Sequence, residues 1–222
     1  MATDAERRVT PHVGAGSTLG EGLRHPFSGG WRPVVWVSLL LAGAPLVLPG
    51  VVALGYLVRV ARAASRGEPA PAPGAVRGPF RDGLAVLLAV AIVAVIVGFA
   101  TGVLYLAAFL PLWTLDHPIF VAIDVAAGAG LVYGEFGTIA VLAGSGELDD
   151  AVGTTLVDLC LSTYFLRTVA ILVALVLLTA EVALRLGGPL ALGAATPYLA
   201  MAVHGTLGRS YHNAVTRGIL TA

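Results

Sequence analysis

Five ionisable side chains sit where an apolar chain has little use for charge. Asp124 and Glu135 fall in one greasy run, Arg167 and Glu181 in the next, and His204 in the last. A charged group in mid-membrane costs from about 2.5 kcal/mol upward, so each must either pair or take part in moving protons or ions. Asp124 and Glu135 are eleven residues apart. That is close to three helical turns, which places them on one face with Gly128 and Leu131. With Tyr105 and Tyr133 this face can line a polar seam. Pairing is the competing use and the favoured one. Asp124 lies four residues inside its segment, near an interface, and Glu181 and Arg185 have the i, i+4 spacing of a helical ion pair. Glu135, near the end of the third segment, and Arg167, near the start of the fourth, are placed to pair between antiparallel helices.

A second group of charges serves a different purpose. Arg59, Arg62 and Arg66 are spaced three and four apart and share a helical face. Arg77 and Arg81 follow in the same loop, beyond "EPAPAPGAV". Arginines concentrate in short cytoplasmic loops, and their long stems let the charge reach lipid headgroups. Residues 59–83 are therefore expected at the cytoplasmic face, anchored by anionic headgroups at about 1 kcal/mol per basic residue. A substrate phosphate site is the lesser reading of the same residues.

Other constellations are weak. His204 and His212 stand about 80° apart on a helix with no third ligand, so no metal site is expected. "VGAGSTLGEG" lacks the GxGxxG spacing and a preceding strand, and reads as flexible tail. Cys160 is alone. No nucleophile elbow, phosphate loop or HExxH is present, so neither an enzyme nor a cofactor is expected. The formal net charge of zero argues against a nucleic-acid partner.

The elements carrying these groups follow from composition. The 222 residues are 57% hydrophobic and 12% charged, against about a quarter charged in soluble domains; mean hydropathy is +0.89. Charge is absent from Pro33 to Val58, from Leu84 to Leu115 and from Leu186 to Gly208. Each run exceeds the roughly 18 residues that mark a membrane span, and backbone in lipid must be helical or barrelled. The expected fold is an all-α polytopic transmembrane bundle of about five to six segments. These cover about 34–62, 83–109, 120–143, 164–186 and 189–207. Residues 1–30 read as a flexible tail, and Trp113 with its flanking prolines as an interfacial turn. An interfacial helix is expected over about 150–162, with Asp149 or Asp150 as its cap.

Pro45 and Pro49 break the first segment. As one crossing it gives five spans and an outside N-terminus carrying Arg7, Arg8, Arg24 and Arg32. As a re-entrant hairpin of two arms of about 15 residues it puts both termini inside, the arrangement the arginines favour. "GYLVRVARAASRGE", "YGEFGTIAVLAGSGE" and "PYLAMAVHGTLGRS" share an aromatic start, an apolar helix and a Gly/Ser end. Each is expected to leave the membrane on the same side.

"GYLVRVAR", the proline-rich loop, "GPFRDG", "GSGELDDAVGTTL" and the final aromatic-to-"GRSY" stretch carry a resemblance. Over residues 30 to 215 the chain resembles an archaeal family of multipass membrane proteins, domain of unknown function 4013, at Gly55, Tyr56, Arg59, Asp82 and Gly83. The loop lacks that family's acidic and aromatic residues, and the third segment its proline. The resemblance implies a helical integral membrane protein and no activity. The expected role is a membrane scaffold or accessory subunit in the cell membrane, with a membrane-protein partner or further copies of itself. The alternative is a small transporter or channel component using the Asp124–Glu135 face.

Overall fold

The computed structural model describes residues 15–112 and 117–220; Trp113 and residues 1–14 lie outside them. Every regular element among the described residues is helical. In order these are α1 (Ala15–Arg24), a 3-10 turn (His25–Phe27), α2 (Arg32–Ala42), α3 (Leu48–Arg66), α4 (Arg77–Leu112), α5 (Pro118–Gly144), the short α6 (Leu148–Val152) and α7 (Thr154–Leu161), and α8 (Thr163–Thr216). Four of them, α3, α4, α5 and α8, are long and apolar enough to cross a membrane.

The breaks fall where backbone chemistry demands them. A 3-10 turn over Ala44–Leu46 and a positive φ of 49° at Val47 separate α2 from α3. Pro49 sits in the first turn of α3, where its missing N–H costs no helical bond. Gly188, with φ 62° and ψ −153°, divides α8 into limbs 163–187 and 189–216. That conformation suits a residue without a Cβ. Asn213 Nδ2 donates to Tyr164 Oη at 3.3 Å across 49 residues of sequence, so the two limbs run antiparallel. Each is roughly 37–42 Å long at about 1.5 Å per residue, enough for a crossing.

The α2–α3 pair is a hairpin of unequal arms, 11 and 19 residues, rather than two arms of about 15. Its depth is fixed by contact with α4. A Cβ on Gly55 would fall on the Pro79 carbonyl oxygen, and one on Gly83 on the Val51 carbonyl oxygen. The start of α3 is therefore level with the first turns of α4. From Gly83, α4 continues for about 43 Å at about 1.5 Å per residue. The hairpin break therefore lies level with the early turns of α4, and α4 extends well past it. The helices that reach past the hairpin and are long enough to cross are α4, α5 and the two limbs of α8, with α2–α3 packed among them at one end.

This register explains where the core lies. Val52 to Ser65 of α3, Gly137 to Ala143 of α5 and Met201 to Gly208 of α8 are largely buried at the arginine-rich end. Glycines let the backbones meet there: a Cβ on Gly208 would strike the Ala61 carbonyl, and one on Gly144 the Tyr211 ring. Small residues permit such approach in membranes. The opposite halves have no central element. Val95, Phe99, Leu106, Val121, Val125, Leu178 and Leu190 are exposed, a surface suited to lipid and not to water.

Two expectations are corrected. Residues 15–30 are not a tail, because α1 packs on the second limb of α8. Thr18 Oγ1 lies 3.0 Å from Tyr164 Oη and accepts from Asn213 Nδ2 at 2.9 Å. Tyr198 Oη donates to the Leu23 carbonyl at 2.8 Å. The interfacial helix is two short helices, broken at Gly153 in an extended conformation. Asp149 and Asp150 stand in the first turn of α6, whose N-cap position is Glu147.

Adding one methyl tests the close approach. Gly55→Ala should destabilise the protein by upwards of about 2 kcal/mol, because it overpacks against backbone. Gly98→Ala, whose Cβ meets nothing within 4 Å, should be neutral or stabilising. Thermal unfolding in detergent, followed by circular dichroism, distinguishes the two.

Candidate functional site

The structure gathers the polar chemistry at the arginine-rich end, around a residue absent from the expected site. Asp82 opens the second turn of α4 and is 8% exposed. Its Oδ2 accepts from Arg59 Nε at 2.6 Å and lies 3.9 Å from Arg62 Nη1. Arg62 Nη2 also reaches the Leu142 carbonyl at 3.5 Å, tying α3 to the end of α5. Gly78 makes room for this pairing, since a Cβ there would strike the Arg59 guanidinium. Arg66, Arg77 and Arg81 are exposed and form no ion pair among the described residues. The signal in the sequence was a carboxylate between Arg81 and Gly83, read there as part of a family motif and not as a partner.

Val58 and Arg62 of α3, Arg81, Asp82 and Ala85 of α4, and Leu142 and Gly146 enclose a pocket of about 200 Å³. The three Gly/Ser-ended stretches converge beside it. Arg209 Nη1 comes within 3.7 Å of the position a Cβ on Gly67 would take, and Gly144 meets Tyr211. They leave the bundle at one end, as their shared pattern implied.

The expected intramembrane charges are dispersed. Asp124, exposed, accepts from Tyr105 Oη at 2.6 Å, and Tyr105 packs on Phe120 with ring centroids 5.0 Å apart. Tyr133 turns elsewhere and donates to the Cys160 carbonyl at 2.7 Å. Glu135 and Arg167 do not pair. Tyr164, Phe165, Thr168 and Val169 form the buried face of α8's first limb, while Arg167 is exposed with Leu166 and Ala170. Glu181 and Arg185 do pair, at 2.6 Å, exposed near the hairpin tip.

His204 and His212 part company. His204 is buried; its Nδ1–H donates to the Ala200 carbonyl at 2.7 Å, and its Nε2 has no hydrogen-bond partner. It lines a cavity of about 390 Å³ between the limbs of α8, walled by Phe136, Leu172, Val176, Leu199 and other apolar side chains. His212 is exposed. No group of three His, Cys, Asp or Glu able to hold a metal occurs among the described residues. A groove of about 610 Å³ between Gly128–Gly130 of α5 and Leu166–Val173 of α8 is equally apolar.

Sequence reading missed His25, which closes the α1 contact. It is buried against Gly205, and its Nε2 lies 3.2 Å from the Val60 carbonyl. A carbonyl only accepts, so the proton of the neutral ring is on Nε2. Burial holds its pKa below 6.5; the Val60 bond opposes this and the nearby Arg209 charge adds to it. Arg209 Nε is itself paired with Glu21 at 3.1 Å. Burial also pushes the half-buried Cys160 thiol up to about 11, leaving it an unreactive neutral group near neutral pH.

The fold is all-α among the described residues, and four of its helices are long and apolar enough to cross a membrane, as a membrane protein requires. No family model, curated protein or solved structure matches the chain.

Removing either half of the main ion pair should destabilise the fold. Arg59 is partly exposed, so Arg59→Ala should cost about 1–3 kcal/mol. Arg59→Ala with Asp82→Ala together should cost less than the sum of the two, a coupling seen in a double-mutant unfolding cycle. Glu135→Ala and Arg167→Ala should combine additively. A depressed His25 pKa means the unfolded state binds the extra proton, so its stabilising contribution is full above about pH 6.5 and is lost as pH falls through the folded value. Hydrogen exchange over residues 15–27, corrected for intrinsic rates, should accelerate from pH 7.5 to 5, and His25→Gln should flatten that dependence.

Proposed function

We propose that the protein is a non-enzymatic membrane scaffold or accessory subunit of the cell membrane, with its arginine-rich end at the cytoplasmic face. The observation that carries this reading is the use made of its polar groups. Asp82 holds two arginines, Asp124 holds Tyr105, Glu181 holds Arg185, and Thr18, Tyr164 and Asn213 hold one another. The spaces between α5 and α8 and between the limbs of α8 are lined almost wholly by apolar side chains and offer ions no line of hydrogen-bonding groups. Positions expected to form an acidic seam, Asp124 and Glu135, share no partner.

The exposed apolar halves of α4, α5 and α8 give this scaffold its working surface, against lipid, a partner membrane protein or further copies of the chain. Kinship with the archaeal family named above belongs to the same proposal. It is supported by the meeting of Gly55, Arg59, Asp82 and Gly83 at one helix contact, which gives their spacing a packing reason.

Reconstituted into liposomes loaded with a pH-sensitive dye, the protein should pass protons and monovalent cations no faster than empty liposomes. Flux that is abolished by Asp124→Asn or Glu135→Gln would overturn the scaffold reading in favour of a transporter.

A further inference from the structure

Arg62 stands among like charges, with Asp82 the carboxylate that faces it. Arg59, Arg66 and Arg81 all lie close enough to Arg62 for their charges to repel it, and Asp82 opposes them. Arg59 Nε takes the Asp82 oxygen at 2.6 Å, and Arg62 stands off at 3.9 Å. Arg81 has no ion pair among the described residues. Arg62 and Arg81 wall the same small pocket, one from α3 and one from α4. At about 200 Å³ it has the volume of roughly six or seven liquid waters at about 30 Å³ each. Glu147, next to Gly146 at the rim, is exposed.

We propose that this pocket binds a phosphate group, held between the Arg62 and Arg81 guanidiniums, while the Asp82 carboxylate is engaged by Arg59. Guanidinium forks match phosphate oxygens in shape and charge, and a bound anion relieves the repulsion around Arg62. The site is distinct from general attraction of the basic loop to a charged surface, which depends on net charge and not on which arginine supplies it. Its place beside the first turns of α4 is where headgroups lie if the membrane orientation proposed above holds. The chemistry is shared by a phospholipid headgroup and by free phosphate, and the two have separate tests.

The purified protein in detergent should be titrated with inorganic phosphate, and the protein in nanodiscs compared with phosphatidic acid or phosphatidylcholine present, each read by thermal shift and native mass spectrometry. Stabilisation by phosphatidic acid assigns a lipid headgroup, and stabilisation by inorganic phosphate alone assigns free phosphate. The detergent arm does not depend on membrane orientation, so its failure is separable from failure of the scaffold reading. Arg81→Gln should weaken binding at least about tenfold, and Arg77→Gln, outside the pocket, less than about threefold. Arg81→Lys, which keeps the charge and loses the fork, should still weaken it several-fold. Equal losses in Arg77→Gln and Arg81→Gln with full rescue by Arg81→Lys would overturn the proposal, as would no response to either phosphate source. All three exposed-site variants should remain monodisperse.

Discussion

Backbone against backbone is the constraint from which the rest of this structure follows. At Gly55 and Gly83 the axes of α3 and α4 come too close for any side chain between them, and Gly208 does the same for α3 and α8. Contacts of this kind supply association in lipid, where the hydrophobic effect gives no preference for helix over acyl chain. They also fix registers. Once Gly55 is seated against Pro79, Arg59 arrives beside Asp82 and Arg62 beside Leu142. The ion pair is thus a consequence of the glycine contact and its lock.

The same seating determines how far α3 reaches. Because it meets the beginning of α4, the hairpin fills the space between the crossing helices at one end only. There the chain has a dense core, sealed by α1 and by the Thr18–Tyr164–Asn213 cluster, with Arg217 4.4 Å over the Tyr164 ring. Beyond the hairpin tip the four crossing helices are left to lipid-facing leucines and valines and to two apolar spaces. Polar pairs between side chains in that half include Tyr105 with Asp124 and Glu181 with Arg185. Stability and chemistry are both concentrated at the arginine-rich end.

Much of this was legible in order of length scale. Charge-free runs gave the crossing helices, and Gly187–Gly188 and Pro45 to Pro49 marked the breaks, because glycine and proline act on their own backbone. The fold-back of α2 on α3 is the one of the two arrangements of the first segment that the structure contains. Pairings across the fold were not legible. Thr18 and Asn213 are 195 residues apart, and a Gly-rich stretch such as "STLGEG" carries no local sign of the helix it docks against. The Glu135–Arg167 expectation placed both residues at the right end and failed on azimuth: Arg167 points away from the face that packs. Asp82 was noticed for its neighbours and not for its charge, since nothing in a linear reading says which of five arginines a carboxylate will meet.

A wedge driven into one leaflet has a mechanical meaning. In the membrane orientation proposed above, the α2–α3 hairpin and its exposed tip at Leu46, Val47 and Leu48 would displace acyl chains on the arginine-rich side only. Each copy would then enlarge the area of one monolayer relative to its opposite, and an array of copies would impose a sign on the bending of the sheet that holds them.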